Sequence, residues 1–118
     1  MDIRVKTFAA EAASRMDAAL GGLGFTGPEV NQGHNTYPLV ITVRYHRSDV
    51  SLKISLILTY AGEEYVSTTL QEHREAPQKA RRVEVGTNTA HTGYQMRRAL
   101  EQQAQAVSDR LRHPDQHD

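Results

Sequence analysis

The stretch Val50-Ser51-Leu52-Lys53-Ile54-Ser55-Leu56-Ile57-Leu58-Thr59-Tyr60 decides the fold. Val50, Leu52, Ile54, Leu56, Leu58 and Tyr60 take every second position; Ser51, Lys53, Ser55 and Thr59 fall between them, with Ile57 the apolar residue out of phase. Successive side chains of a strand point to opposite faces, so this alternation reads as a β-strand with one buried and one open face. Residues 37–45 repeat it upstream, with Leu39, Ile41, Val43 and Tyr45 on one face and Val40, Thr42 and Arg44 on the other. Residues 64–70 repeat it downstream: Val66, Thr68 and Leu70 turn inward, and Tyr65, Ser67 and Thr69 outward.

Short polar links make these strands a β-meander. A four-residue loop, 46–49, pairs Tyr45 with Val50, Val43 with Leu52 and Ile41 with Ile54. A three-residue loop, 61–63, contains Gly62 and pairs Tyr60 with Glu64, which sets Leu58 against Val66 and Ile54 against Leu70. Both registers gather the apolar side chains on one face, and a slip of one residue would scatter them. Residues 25–30 and 82–85, the second run ended by Gly86, are candidates for further strands.

The flanks are helical. Over 4–21, Val5, Phe8, Ala9, Ala12, Met16, Ala19 and Leu20 follow the i, i+3, i+4 series, and Gly21-Gly22 supply a stop. Over 93–112, Met96, Leu100, Ala104, Val107 and Leu111 form the stripe, and Thr92-Gly93-Tyr94-Gln95 reads as a capping box. Two one-faced helices and a one-faced sheet have one economical packing. The chain is expected to be an α+β two-layer sandwich, an antiparallel meander of three to five strands with both terminal helices on one face. Residues 1–113 form one domain and 114–118 a frayed tail. This element order resembles that of small bacterial α+β binding modules, the secretion-chaperone-like domains and immunity-type inhibitors. The resemblance covers element order alone and implies a binding module; the expectation that it is non-enzymatic rests on the residues themselves.

The composition, 38% hydrophobic and 24% charged over 118 residues, is that of a globular domain. The absence of cysteine excludes disulfides, thiolate metal sites and a cysteine nucleophile. The apolar runs 39–41 and 56–58 are too short to span a bilayer, and no secretory h-region follows the N-terminus, so the expected location is the cytoplasm.

The chemistry-bearing motifs are weak. Gly22-Leu23-Gly24-Phe25-Thr26-Gly27 reads G-x-G-x-x-G, but a dinucleotide cradle needs a strand before it and a helix after it, and here a helix precedes and Pro28 follows. His34, His46, His73, His91, His113 and His117 show no metal-ligand spacing on a rigid element. His46, Ser48 and Asp49 share one loop, whereas working triads gather groups from separate elements. No catalytic residue, metal or cofactor is expected.

Two surfaces remain. The open sheet face would present Thr42, Arg44, Lys53, Ser55, Ile57, Thr59, Tyr65, Ser67 and Thr69. A basic patch would combine Arg74, Lys79, Arg81 and Arg82 with Arg97 and Arg98. Lys plus Arg and Asp plus Glu each number 14, so the chain is neutral overall, and 73–82 has no aromatic residue to stack a base. Nucleic acid is therefore not the expected partner of that patch; an acidic protein surface is. The expectation is a small protein-binding module acting through the open face or a sheet edge, on another protein or on a second copy as a homodimer. The alternatives are a small enzyme or ligand binder using the 46–49 loop, or a weak nucleic-acid contact through 73–82.

Overall fold

The computed structural model describes residues 2–33, 38–73 and 81–113. The elements are α1 (Ile3–Leu20), β1 (Thr26–Asn31), β2 (Leu39–His46), β3 (Val50–Leu58), β4 (Glu64–Glu72), β5 (Arg81–Thr89) and α2 (Gly93–Arg112). The five strands form one antiparallel sheet in the order β1-β2-β3-β4-β5. Both helices pack on one face and against each other, α1 over β2 and β3, α2 over β4 and β5. The expected two-layer α+β sandwich is the fold. Tyr37, Arg74, Lys79 and the 114–118 tail lie outside the described residues.

Both inner hairpins differ from the expected register by two residues. Tyr45 pairs with Leu52, Val43 with Ile54 and Ile41 with Leu56. Leu56 in turn pairs with Val66, Ile54 with Thr68 and Leu52 with Leu70. The faces are unchanged, because a two-residue shift preserves the side-chain alternation. Turn chemistry chose between the equivalent registers. In the first hairpin Arg47 and Val50 exchange backbone hydrogen bonds of 2.9 and 3.3 Å, which leaves Ser48-Asp49 as a two-residue turn. The Arg47 guanidinium locks it by donating to the Asp49 carboxylate at 2.6 and 3.1 Å and to the Leu23 carbonyl at 2.7 Å, over the Phe25 ring. In the second hairpin Thr59 and Glu63 close the turn and Gly62 has φ +80°. A three-residue loop puts its left-handed residue last, so Gly62 ends the loop.

β5 runs past Gly86, which does not end it. Thr68 pairs with Gly86 and Thr69 with Glu84, so Val85 is an extra, unpaired residue, a β-bulge. The bulge resets the alternation: Val83 and Val85 both pack against the core, while Arg82, Glu84, Thr87 and Thr89 stay exposed. β1 carries a second irregularity, between Thr26 and Glu29. At Gly27, with φ +125°, a Cβ would stand 2.7 Å from the Arg44 carbonyl oxygen, so only glycine fits.

The core joins Phe8, Ala12 and Met16 of α1, Ile41, Val43, Leu52, Ile54, Leu56, Leu58, Val66 and Leu70 of the sheet, and Met96, Leu100 and Val107 of α2. Leu111, expected within it, is half-buried at its margin. The Thr92 hydroxyl accepts from Gln95 N at 3.0 Å, and the Gln95 side chain accepts from His91 N at 2.8 Å, one residue beyond the usual box.

Arg4 and Gln103 each anchor a polar network on the helical side of the sheet. Arg4 of α1 binds Asp2, donates to the Ala90 carbonyl at 2.8 Å and meets Glu64 at 3.1 Å; His91 meets the other oxygen of Glu64 at 2.9 Å. Gln103 of α2, 2% exposed, accepts from the Thr68 hydroxyl at 2.5 Å and donates to the Val66 carbonyl and the Asn88 side chain, both at 2.9 Å. A Cβ at Gly86 would approach Gln103 Cγ to 3.1 Å, so any larger residue there would press on the Gln103 side chain. Gln103→Leu keeps the bulk but leaves the Thr68 hydroxyl unpartnered in the core. It is expected to destabilise by about 1–3 kcal/mol in chemical denaturation. A stability equal to wild type would mean that this network contributes nothing net.

Candidate functional site

The face away from the helices is built in rows. Side chains that lie across from one another on neighbouring strands share a row, so the observed pairings fix its chemistry. One row is Val40, Ile57, Tyr65 and Thr89, largely apolar. The next is Asn31, Thr42, Ser55, Ser67 and Thr87, small and polar throughout. Thr42 and Ser55 sit low between larger neighbours, 9% and 6% exposed, with their hydroxyl oxygens 3.4 Å apart. Thr59 lies past the end of β3 and belongs to the hairpin, where its hydroxyl donates to the Glu63 carbonyl at 3.2 Å.

The third row is Glu29, Arg44, Lys53, Thr69 and Glu84. Arg44 stands directly across from Lys53. Because Arg47 and Val50 exchange hydrogen bonds, alternation makes Arg44 and Lys53 a pair without mutual backbone bonds, the kind in which side chains come closest. Two like charges held there destabilise the sheet. The carboxylates that would relieve them are engaged elsewhere: Glu29 with the His46 imidazole at 3.2 Å, and Glu84 with the Thr87 hydroxyl. Among the described residues Arg44, Lys53 and Arg82 make no ion pair.

These cations surround a groove of about 250 Å³, lined by Arg44, His46, Ser51, Leu52, Lys53, Thr69, Gln71 and Arg82. Its fourth row, His46, Ser51, Gln71 and Arg82, supplies hydroxyl, amide and guanidinium donors. At its margin, the His46 imidazole lies within hydrogen-bond reach of the Glu29 carboxylate at 3.2 Å and of the Ser51 hydroxyl at 3.3 Å, and Ser51 of the His73 imidazole at 2.8 Å. A serine between imidazoles invites a nucleophilic reading. The backbone does not favour it: Asp49 accepts from His73 N at 2.8 Å, so alternation commits the Ser51 N–H to the β4 ladder. If the Ser51 hydroxyl attacked a carbonyl, the oxyanion formed on the substrate would not find the Ser51 N–H free to stabilise it. What the groove does offer is positive charge and donors for an anion.

The 46–49 loop is divided rather than convergent. His46 faces Ser51 and Glu29, Ser48 is exposed at the turn, and Asp49 is held by Arg47, whose hydrogen bonds lower its pKa below the ordinary carboxylate value. The basic patch is divided as well. Arg82 lines the open face, whereas Arg97 and Arg98 lie in the first turns of α2, in the helical layer and beyond the far end of β5. From Arg82 to Thr89 the strand rises roughly 20 Å. Glu101, one turn beyond Arg97 and Arg98 on α2, pairs with Arg15 at 3.3 Å. His46, Ser51, Gln71 and Glu29 were not singled out for the face; alternation along β2, β3 and β4 carries the signal for the first three, and Glu29 lies on β1, which is exposed throughout.

Among the described residues no helix is long and apolar enough to cross a membrane, and no three His, Asp or Glu side chains gather as a metal ion requires. No family model, curated protein or solved structure matches the chain.

Proposed function

We propose that the chain is a non-enzymatic, cytoplasmic protein-binding module, and that its open sheet face receives an acidic surface of another protein. One observation carries the reading: Arg44 and Lys53 are held face to face at the closest position of the ladder while both nearby carboxylates bind other groups. A local arrangement that opposes stability points to a use outside the fold. Rim charges of this kind steer encounter and select partners, and the apolar row of Val40, Ile57 and Tyr65, beyond the small polar row, provides area to bury.

Capture from a lysate of the source organism tests this with three forms of the chain: wild type, Arg44→Glu/Lys53→Glu, and Lys6→Glu/Arg98→Glu as a helix-side control of equal charge change. Acidic partners retained by wild type and control, lost by the sheet-face variant and weakened by salt when purified are the expected result. Partners lost with the helix-side variant instead would reject the reading. The apolar row also admits a second copy of this chain. A dimer in sedimentation that Ile57→Lys returns to the 13.2 kDa species would assign the face to self-association.

A further inference from the structure

The groove on the open face gathers positive charge and hydrogen-bond donors from β2, β3, β4 and β5. We propose that it is a binding site for a phosphoryl group, carried on a phosphorylated side chain of the partner protein; the inference rests on the reading of this face as a protein-binding surface. Arg44 on β2, Lys53 on β3 and Arg82 on β5 line one groove. Three strand spacings, about 14 Å across the sheet, and an offset of two residues along the strands, about 7 Å, separate the two arginine backbones, and Lys53 stands on the strand next to Arg44. Both arginines line the same groove as Lys53 and Thr69.

A carboxylate is a poor match for this set. It brings one negative charge and two acceptor oxygens against three cations. A phosphoryl group brings about −1.5 to −2 charge and three strong acceptor oxygens. Arginine forks suit those oxygens, and lysine adds a point charge. The Ser51 and Thr69 hydroxyls and the Gln71 amide lie in the same wall. Glu29 and Glu84 close the row at its two ends, turned toward His46 and Thr87, so the positive field is confined to the middle. A groove of about 250 Å³ has room for one such group and the base of its side chain. The neighbouring row of Asn31, Thr42, Ser55, Ser67 and Thr87 is uncharged, so a polyanion running across the sheet would find one anchor and then neutral hydroxyls. That disfavours a nucleic-acid backbone, which gains affinity from many successive phosphate contacts.

The test is a nuclear magnetic resonance titration of the ¹⁵N-labelled full chain with four probes: inorganic phosphate, a glycine-flanked phosphoserine peptide, and the same peptide with serine or glutamate in its place. The phosphoserine peptide is expected to bind at least tenfold tighter than the glutamate peptide and to move the amides of residues 51–53, 69–71 and 82. Arg44→Gln, Lys53→Gln and Arg82→Gln should each weaken that binding tenfold or more without lowering the melting temperature. Equal affinity for the phosphoserine and glutamate peptides would overturn the phosphoryl inference and leave the acidic-partner reading standing. Binding of neither peptide would remove both. Inorganic phosphate binding as tightly as the phosphopeptide would overturn the partner-borne form and assign the groove to a free phosphate or small phosphate ester.

Discussion

Leu56→Ala is expected to lower the free energy of unfolding by about 2–5 kcal/mol, read as a lower denaturation midpoint with an unchanged slope. Leu56 is fully buried at the middle of β3, the central strand, with Ile41 across from it on β2 and Val66 on β4. Its removal takes apolar atoms from the core and leaves a void that two fixed ladders and two helices have little freedom to fill. Ile57, its neighbour in the chain, points to the other side and is half-buried, so Ile57→Ala should cost clearly less. An unchanged midpoint for Leu56→Ala, or a larger loss for Ile57→Ala, would mean that the two faces of the sheet are exchanged.

Arg4→Met is expected to destabilise by about 2–4 kcal/mol, below the upper range for a fully buried ion pair because the carboxylates keep some contact with water. Methionine preserves the aliphatic stem but gives Asp2, Glu64 and the Ala90 carbonyl no donor. Its signature is in pH. Hydrogen bonds from Arg4 lower the pKa of Asp2; those from Arg4 and then His91 lower that of Glu64. A carboxylate with a depressed folded-state pKa adds stability that is complete above its unfolded pKa, about 4, and lost as pH falls through the folded value. Wild type should therefore lose stability below about pH 4 more steeply than Arg4→Met. Parallel stability-against-pH curves would show that the network does not depend on the guanidinium.

The element order, both helix ranges and the two faces of the meander were legible because periodicity reports them directly. Register was not, because Tyr45 against Val50 and Tyr45 against Leu52 bury the same side chains. Only the Arg47–Asp49 clasp and the left-handed place of Gly62 separate such alternatives, and both act through turn geometry rather than hydrophobicity. β5 looked short because its alternation breaks at Val85-Gly86, where the bulge resets it. Gln103 stands on the buried stripe of α2 but reads as polar, so the stripe appeared one residue poorer than it is. The open face showed Arg44 and Lys53, but not that their carboxylate neighbours are committed elsewhere, since ion-pair choice is a property of assembled rows.

Both outermost strands carry an irregularity, between Thr26 and Glu29 on one side and at Val85 on the other, while the inner hairpins pair without interruption. A straight outer strand is a template: its free N–H and C=O groups let the next chain copy it, and the copy presents the same template again. Here the copying would fail at its first step on either side, since the spacing of free groups breaks midway along each strand. The molecule can keep a broad, uncovered sheet face for recognition without seeding fibres of its own kind.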